Sequence, residues 1–146
     1  MEIIPIIFTC LVILGGLFTG AIVYGAITKK RDIVLTGLFY YSFLPLIGET
    51  MGILSVNKPY HTLFICMFIV QLLISSIRKV PFDPTDATLK EYAKRMGLSL
   101  IIINLFSAIF IFVVTSDYPP ILGIYHSIIT LSLVYGVFQR LRGNMS

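Results

Sequence analysis

Five apolar runs, each close to the roughly 20 residues a helix needs to cross a hydrocarbon core, take up most of this chain. They cover residues 3–27, 33–55, 60–77, 97–115 and 120–139. The breaks are short and polar: Lys29-Lys30-Arg31-Asp32, Asn57-Lys58-Pro59, the stretch from Arg78 to Arg95, and Asp117-Tyr118-Pro119-Pro120. A chain of 146 residues has room for one domain. Apolar residues make up 57% of it and charged residues 12%, about half the charged share of a soluble globular chain. Mean hydropathy is +0.94. So little polar material cannot coat that much apolar surface in water, and lipid is the expected solvent. The first run begins at Met1-Glu2 with no basic stretch ahead of it and extends to Ile27. That is too long for the apolar segment of a cleaved signal, so it is read as a span.

The expected fold is therefore an all-α integral membrane bundle of five transmembrane helices. Charge placement orients it. With five crossings, one face receives Lys29, Lys30, Arg31, Arg78, Lys79, Lys90, Lys94, Arg95, Arg140 and Arg142, and the other only Lys58. Basic residues gather on the inner side of membranes, which predicts the N-terminus outside and the C-terminus inside, in a cell inner or plasma membrane. The net charge of +4 reflects this bias. No basic stripe carries interleaved aromatics, so nucleic acid is not an expected partner.

The inner loop before the fourth span has a pattern of its own. Asp83 followed by Pro84, with Asp86 in the next turn, reads as a helix cap with proline at the first helical position. Leu89, Tyr92, Ala93 and Met96 then recur at helical spacing, with Lys90, Glu91, Lys94 and Arg95 largely off that stripe. This predicts a short amphipathic helix at the inner interface, from which Gly97 turns the chain into the fourth span.

Glu49 is the principal candidate for chemistry. It lies within the second span, far from either loop, beside Gly48, Gly52 and Pro45. A carboxyl group in the bilayer costs on the order of 3 kcal/mol even on lenient scales. Two readings follow: a proton-transfer or ion site, or a hydrogen bond that joins helices. Gly16, Gly20 and Gly25, with Ala21, form small-residue spacings that predict close helix packing in the first span. His61 and His126 are read as polar packing residues; shared haem ligation would require similar depths in the third and fifth spans. Cys10 and Cys66, in separate apolar runs, are read as buried packing residues rather than a disulfide. No nucleophile–base cluster, phosphate loop or metal-ligand spacing is present. The reading therefore assigns no catalytic residue, no metal site and no directly bound cofactor.

The stretch Lys79-Val80-Pro81-Phe82-Asp83-Pro84-Thr85-Asp86-Ala87, followed by Glu91-Tyr92-Ala93, resembles an inner loop of the quinone-chamber membrane subunit of respiratory complex I. Counterparts of that subunit occur in energy-converting membrane-bound hydrogenases. Lys79 stands at the family's basic position, Asp83 and Asp86 in its acidic segment, and Glu91 and Tyr92 as its closing pair. Val23-Tyr24-Gly25 and the stretch from Lys30 to Gly37 resemble the family's loop before its glutamate-bearing helix, and Glu49 matches that glutamate. The family's first two helices, its basic quinone-site loop and most of its acidic run have no counterpart here. The resemblance implies a membrane-arm subunit of an energy-converting, proton- or electron-transporting oxidoreductase complex. Its partners would be other membrane subunits and a peripheral arm docked through Lys79, Asp83, Asp86, Glu91 and Tyr92. The alternatives are a small self-assembling proton- or cation-coupled transporter or channel, and a purely structural subunit.

Overall fold

The computed structural model describes residues 3–56, 58–77 and 83–146. Among these residues there is no strand. The described residues form five α-helices: α1 (Ile3–Ile27), α2 (Arg31–Ser55), α3 (Pro59–Ser76), α4 (Ala87–Ile109) and α5 (Pro120–Leu141). All five are long and apolar enough to cross a membrane. They run alternately up and down. One end of the bundle collects Lys29, Arg31, Arg140, Arg142 and the C-terminus, where the Arg31 amide donates to the Ser146 carbonyl and the Ser146 amide to the Lys29 carbonyl. We call this the basic end. The opposite end carries Lys58 and Asp117.

Beside an apolar core, many large apolar side chains face outward while several polar ones are fully buried. Leu131 is 71% and Leu17 64% exposed, while Ser42, Gln71, Ser75, Asn104 and Ser107 are fully buried. Water would reverse this distribution; a hydrocarbon surrounding permits it, because the apolar rim then costs nothing and polar groups must find partners inside. Cys10 and Cys66 also lie on the exposed surface, not in the interior as expected. A thiol is apolar enough to face the same surroundings as Leu or Ile.

Helix α4 differs from the sequence reading. Residues 87–96 are not a separate interfacial helix; they are the first turns of one helix that continues through Gly97 to Ile109. Gly97 does not turn the chain but lets α5 approach, since a Cβ there would strike Val137. The cap is Asp86, whose Oδ1 accepts from the Thr88 and Leu89 amides at 2.8 and 3.1 Å. Asp83 instead closes a turn, accepting from the Thr85 amide and hydroxyl, bonds that hold its carboxyl below the usual range. At its far end α4 widens into a π-helical turn, Phe110–Val114. The extra residue in that turn places Ile111 inward and the Phe112 ring against Gly123.

The small residues of α1 divide by position. Gly25 meets the Val34 amide, where an added Cβ would sit 2.7 Å away. Gly16 receives the Tyr125 hydroxyl at 3.0 Å from the same hypothetical atom. Gly20 is a correction to the expected packing face: it is exposed, with nothing within 4 Å. A second close approach of α1 and α2 is at Gly37, where a Cβ would lie 2.7 Å from Ile22 and 3.2 Å from the Phe18 carbonyl. Gly37→Leu is therefore expected to destabilise the bundle by about 1–3 kcal/mol through overpacking, while Gly20→Leu has no measurable effect. Equilibrium unfolding in mixed micelles checks the pair, and equal stability of the two variants would contradict this assignment.

Candidate functional site

Glu49 lies six residues before the end of α2, or about 9 Å along the axis. It is thus nearer a helix end than its place in an apolar run indicated. Its side chain is buried and fully partnered. Oε2 is 2.6 Å from His61 Nδ1 on α3. The Tyr118 hydroxyl, from the segment between the π turn and α5, donates to Oε1 and Oε2 at 2.8 and 2.9 Å. Gly52, one turn beyond Glu49, makes room for the imidazole: a Cβ there would be 2.5 Å from the ring. Burial, then the adjacent Glu49 carboxyl, raises the Tyr118 phenol above its ordinary range and keeps it a donor.

A second layer seals this cluster from the end of the bundle. Lys58 Nζ pairs with Asp117 Oδ2 at 2.5 Å, and the Tyr60 hydroxyl donates to the same oxygen. These bonds join the α2–α3 connection to the segment before α5. The Lys58 ammonium and the Tyr60 hydroxyl hold the Asp117 carboxyl down at about 2, and Asp117 in turn raises Lys58.

Below the cluster lies a cavity of about 620 Å³ bounded by α1, α2, α3, the π turn and α5. Pro45 contributes to its wall; its ring removes the amide that would otherwise bond the Tyr41 carbonyl, which opens the helix ladder there. Tyr41 and His126 also line the cavity, and they begin a buried hydrogen-bond chain. The Tyr41 hydroxyl is 3.4 Å from His126 Nε2. His126 Nδ1 is 2.9 Å from Asn104 Oδ1. Asn104 Nδ2 donates to Gln71 Oε1 at 2.7 Å and to the Leu100 carbonyl at 2.9 Å. Gln71 Nε2 then donates to Ser42 Oγ at 3.1 Å, which donates to the Leu38 carbonyl. With both amide hydrogens of Asn104 engaged, His126 must carry its hydrogen on Nδ1, and Nε2 accepts from Tyr41. Helices α2, α3, α4 and α5 are joined by this one chain.

The two histidines thus have separate partners and separate depths. His126 makes a tilted ring contact with Phe68, centroids 5.6 Å apart, and Phe68 is seven residues beyond His61 on α3, or about 10 Å along the axis. Among the described residues no group of three His, Cys, Asp or Glu side chains is arranged to hold a metal ion.

Of the residues assigned to partner docking, Lys79 lies outside the described residues. Glu91 pairs with Arg95 at 2.9 Å and with Lys94 at 3.9 Å, and Tyr92 is half exposed. Asp83 and Asp86 use oxygens on local backbone, as described above. None of the described side chains among them meets the Glu49 cluster, which sits at the other end of the bundle. Sequence reasoning passed over Tyr118, Gln71 and Asn104. Gln71 and Asn104 interrupt apolar runs, and that interruption was the available signal. Compared with known proteins, the chain matches no family model, no curated protein and no solved structure.

Asn104→Leu strips His126 Nδ1 and Gln71 Oε1 of their partners. It is expected to cost about 1–3 kcal/mol, the penalty for stranded buried polar groups; unfolding in mixed micelles measures it, and a neutral result removes the chain from the stability argument. The Lys58–Asp117 tie has a defined pH window. Because the folded carboxyl is held at about 2, below an ordinary Asp value of about 3.9, its contribution is complete above the ordinary value and is lost as pH falls toward the folded one. Carbon-13 NMR of labelled aspartate, assigned with Asp117→Asn, is expected to show one carboxyl titrating near that low value.

Proposed function

We propose that this chain binds and releases a proton inside a membrane at the Glu49–His61–Tyr118 cluster, as a small proton-coupled carrier. The observation behind this reading is the position of Glu49: a buried carboxyl group in direct contact with an imidazole, on the wall of a cavity large enough for a small organic solute. A carboxyl that served only to join two helices would not require such a space beside it. The basic-end bias of charge supports an orientation with that end inside, so the cavity would face the outer half of a cell inner or plasma membrane. Tyr118 and the Lys58–Asp117 pair form its outer closure.

A second reading keeps the same proton site in a different setting, as a membrane-arm subunit of an energy-converting complex. It is favoured by the resemblance of the stretch from Lys79 to Tyr92 and by the exposed Glu91, Tyr92, Lys94 and Arg95 at the basic end, a surface on which a peripheral arm would dock.

Purification in mild detergent followed by reconstitution separates the two. A carrier purifies alone or as a homo-oligomer, and in vesicles the protein drives solute movement when a pH gradient is imposed. Glu49→Gln abolishes that coupling, by at least tenfold, without changing the helical content seen by circular dichroism. Coupling unaffected by Glu49→Gln would eliminate the proton site in either setting. Co-purification with unlike redox subunits, and inertness when alone, would replace the carrier with the subunit reading.

A further inference from the structure

The chemistry of the cavity narrows what it accepts; this inference rests on the proton-binding reading of Glu49. The Glu49 Oε2 and His61 Nδ1 lie 2.6 Å apart and share one hydrogen; with a second hydrogen on His61 Nε2 the pair is neutral overall, whichever of the two atoms carries the shared one. Without that proton the pair has one negative charge. The other charged groups on the wall are Lys58 and Asp117, which are paired with each other. The remaining titratable groups facing the cavity are Tyr60 from α3, Tyr118 from the segment before α5, Tyr125 and His126 from α5, and Tyr41 from α2. Helix α1 contributes only apolar side chains and the backbone of Gly15. Among the described residues the deprotonated site therefore has a single uncompensated negative charge in a largely apolar cavity, and a desolvated charge requires a counter-charge.

A bare metal cation is a poor candidate, because hard cations take six or more oxygen ligands and, among the described residues, Glu49 is the only carboxylate inside the closure. Aromatic rings stand among the aliphatic side chains of the wall: Tyr41, Tyr60, Phe64, Phe68, Tyr118 and Tyr125 all border the space. Aromatic faces attract cations, quaternary ammonium groups above all, and also cover an apolar body. The volume of about 620 Å³ lies within the range of roughly 300–1,000 Å³ typical of organic-ligand pockets. We infer that the cavity binds an organic cation, a substituted ammonium with an apolar body, in exchange for the proton held between Glu49 and His61. On binding, the bond from that proton to the pair breaks and the proton passes to water. The cation then takes its place, so the charge of the filled cavity is unchanged.

The test uses the full chain in mild detergent and two probes of nearly identical shape, benzyltrimethylammonium and its neutral isostere neopentylbenzene. In weakly buffered solution below the transition of the pair, benzyltrimethylammonium is expected to release one proton per molecule bound. Its affinity is expected to fall about tenfold per pH unit on acidification below the transition of the pair, as a one-for-one exchange requires. Neopentylbenzene, corrected for partition into protein-free micelles, releases none and binds at least tenfold more weakly. Glu49→Gln abolishes proton release, and Tyr60→Leu weakens cation binding several-fold while leaving one proton released per cation. Cation binding without proton release, or equal binding of the isostere, overturns the inference. Failure of the cation to bind also overturns it, and the infrared band of the protonated Glu49 carboxyl then shows what else is lost. A pH-dependent band that disappears in Glu49→Gln leaves the proton site standing without this ligand class. Absence from the native protein of both a pH-dependent Glu49 carboxyl band and a pH-dependent His61 imidazolium band removes the proton site as well.

Discussion

The hydrogen-bond chain from Tyr41 through His126, Asn104 and Gln71 to Ser42 is the constraint around which the bundle is organised. Apolar side chains gain little by meeting one another when the surroundings are equally apolar, so helix association in lipid depends on close packing and on polar groups that need partners. Four of the five helices contribute to this chain, and each amide and imidazole in it has an assigned direction. Helix α1 has no member in it and is held instead by backbone approach at Gly25 and Gly37 and by the Tyr125 hydroxyl on the Val12 carbonyl. Two kinds of association, polar linkage and small-residue packing, thus divide the bundle between them.

The seam between α3 and α4 shows what the chain accomplishes. These two helices meet sparingly compared with their other neighbours. The Gln71–Asn104 hydrogen bond crosses the seam at mid-depth, and the rings of Phe64, Phe106 and Phe110 fill it toward the cavity end. The π turn at Phe110–Val114 and the proline in α2 both loosen regular helix geometry near the same level. Open space and a weakened ladder coincide there, which is how a bundle of only five helices accommodates a cavity beside its ionisable pair.

That placement gives Glu49 its chemical meaning. A carboxyl group hydrogen-bonded only to backbone would be a structural element. Here it shares a proton position with an imidazole, accepts from a phenol, and borders a space walled by aromatic rings. The charged pair Lys58–Asp117 lies between this cluster and the end of the bundle, and it also ties together the two segments that would have to part for a solute to enter. The Glu49 cluster and the cavity therefore lie at one end, while Lys29, Arg31, Arg140 and Arg142 lie at the other.

The number of helices, their approximate limits and the location of the basic end were all legible in the sequence, because apolar run length and the spacing of charges act locally and need no knowledge of neighbours. The importance of Glu49 was legible for the same reason: a carboxyl in an apolar run is costly wherever the run ends up. Its partners were not. His61 is twelve residues away and Tyr118 sixty-nine, and only the antiparallel packing of α2 and α3 and the fold of the final hairpin bring them together. Gly20 and Gly37 look alike in sequence, yet one faces outward and the other receives Ile22; that difference depends on which face of each helix meets the other. The continuity of α4 through Gly97 was likewise decided by α5, whose Val137 occupies the space a side chain would need. The sequence determined a five-helix membrane-type chain with one conspicuous acid, and the tertiary structure decided what that acid touches, because contact between helices is a property of their relative rotation and depth, which no single run of residues encodes.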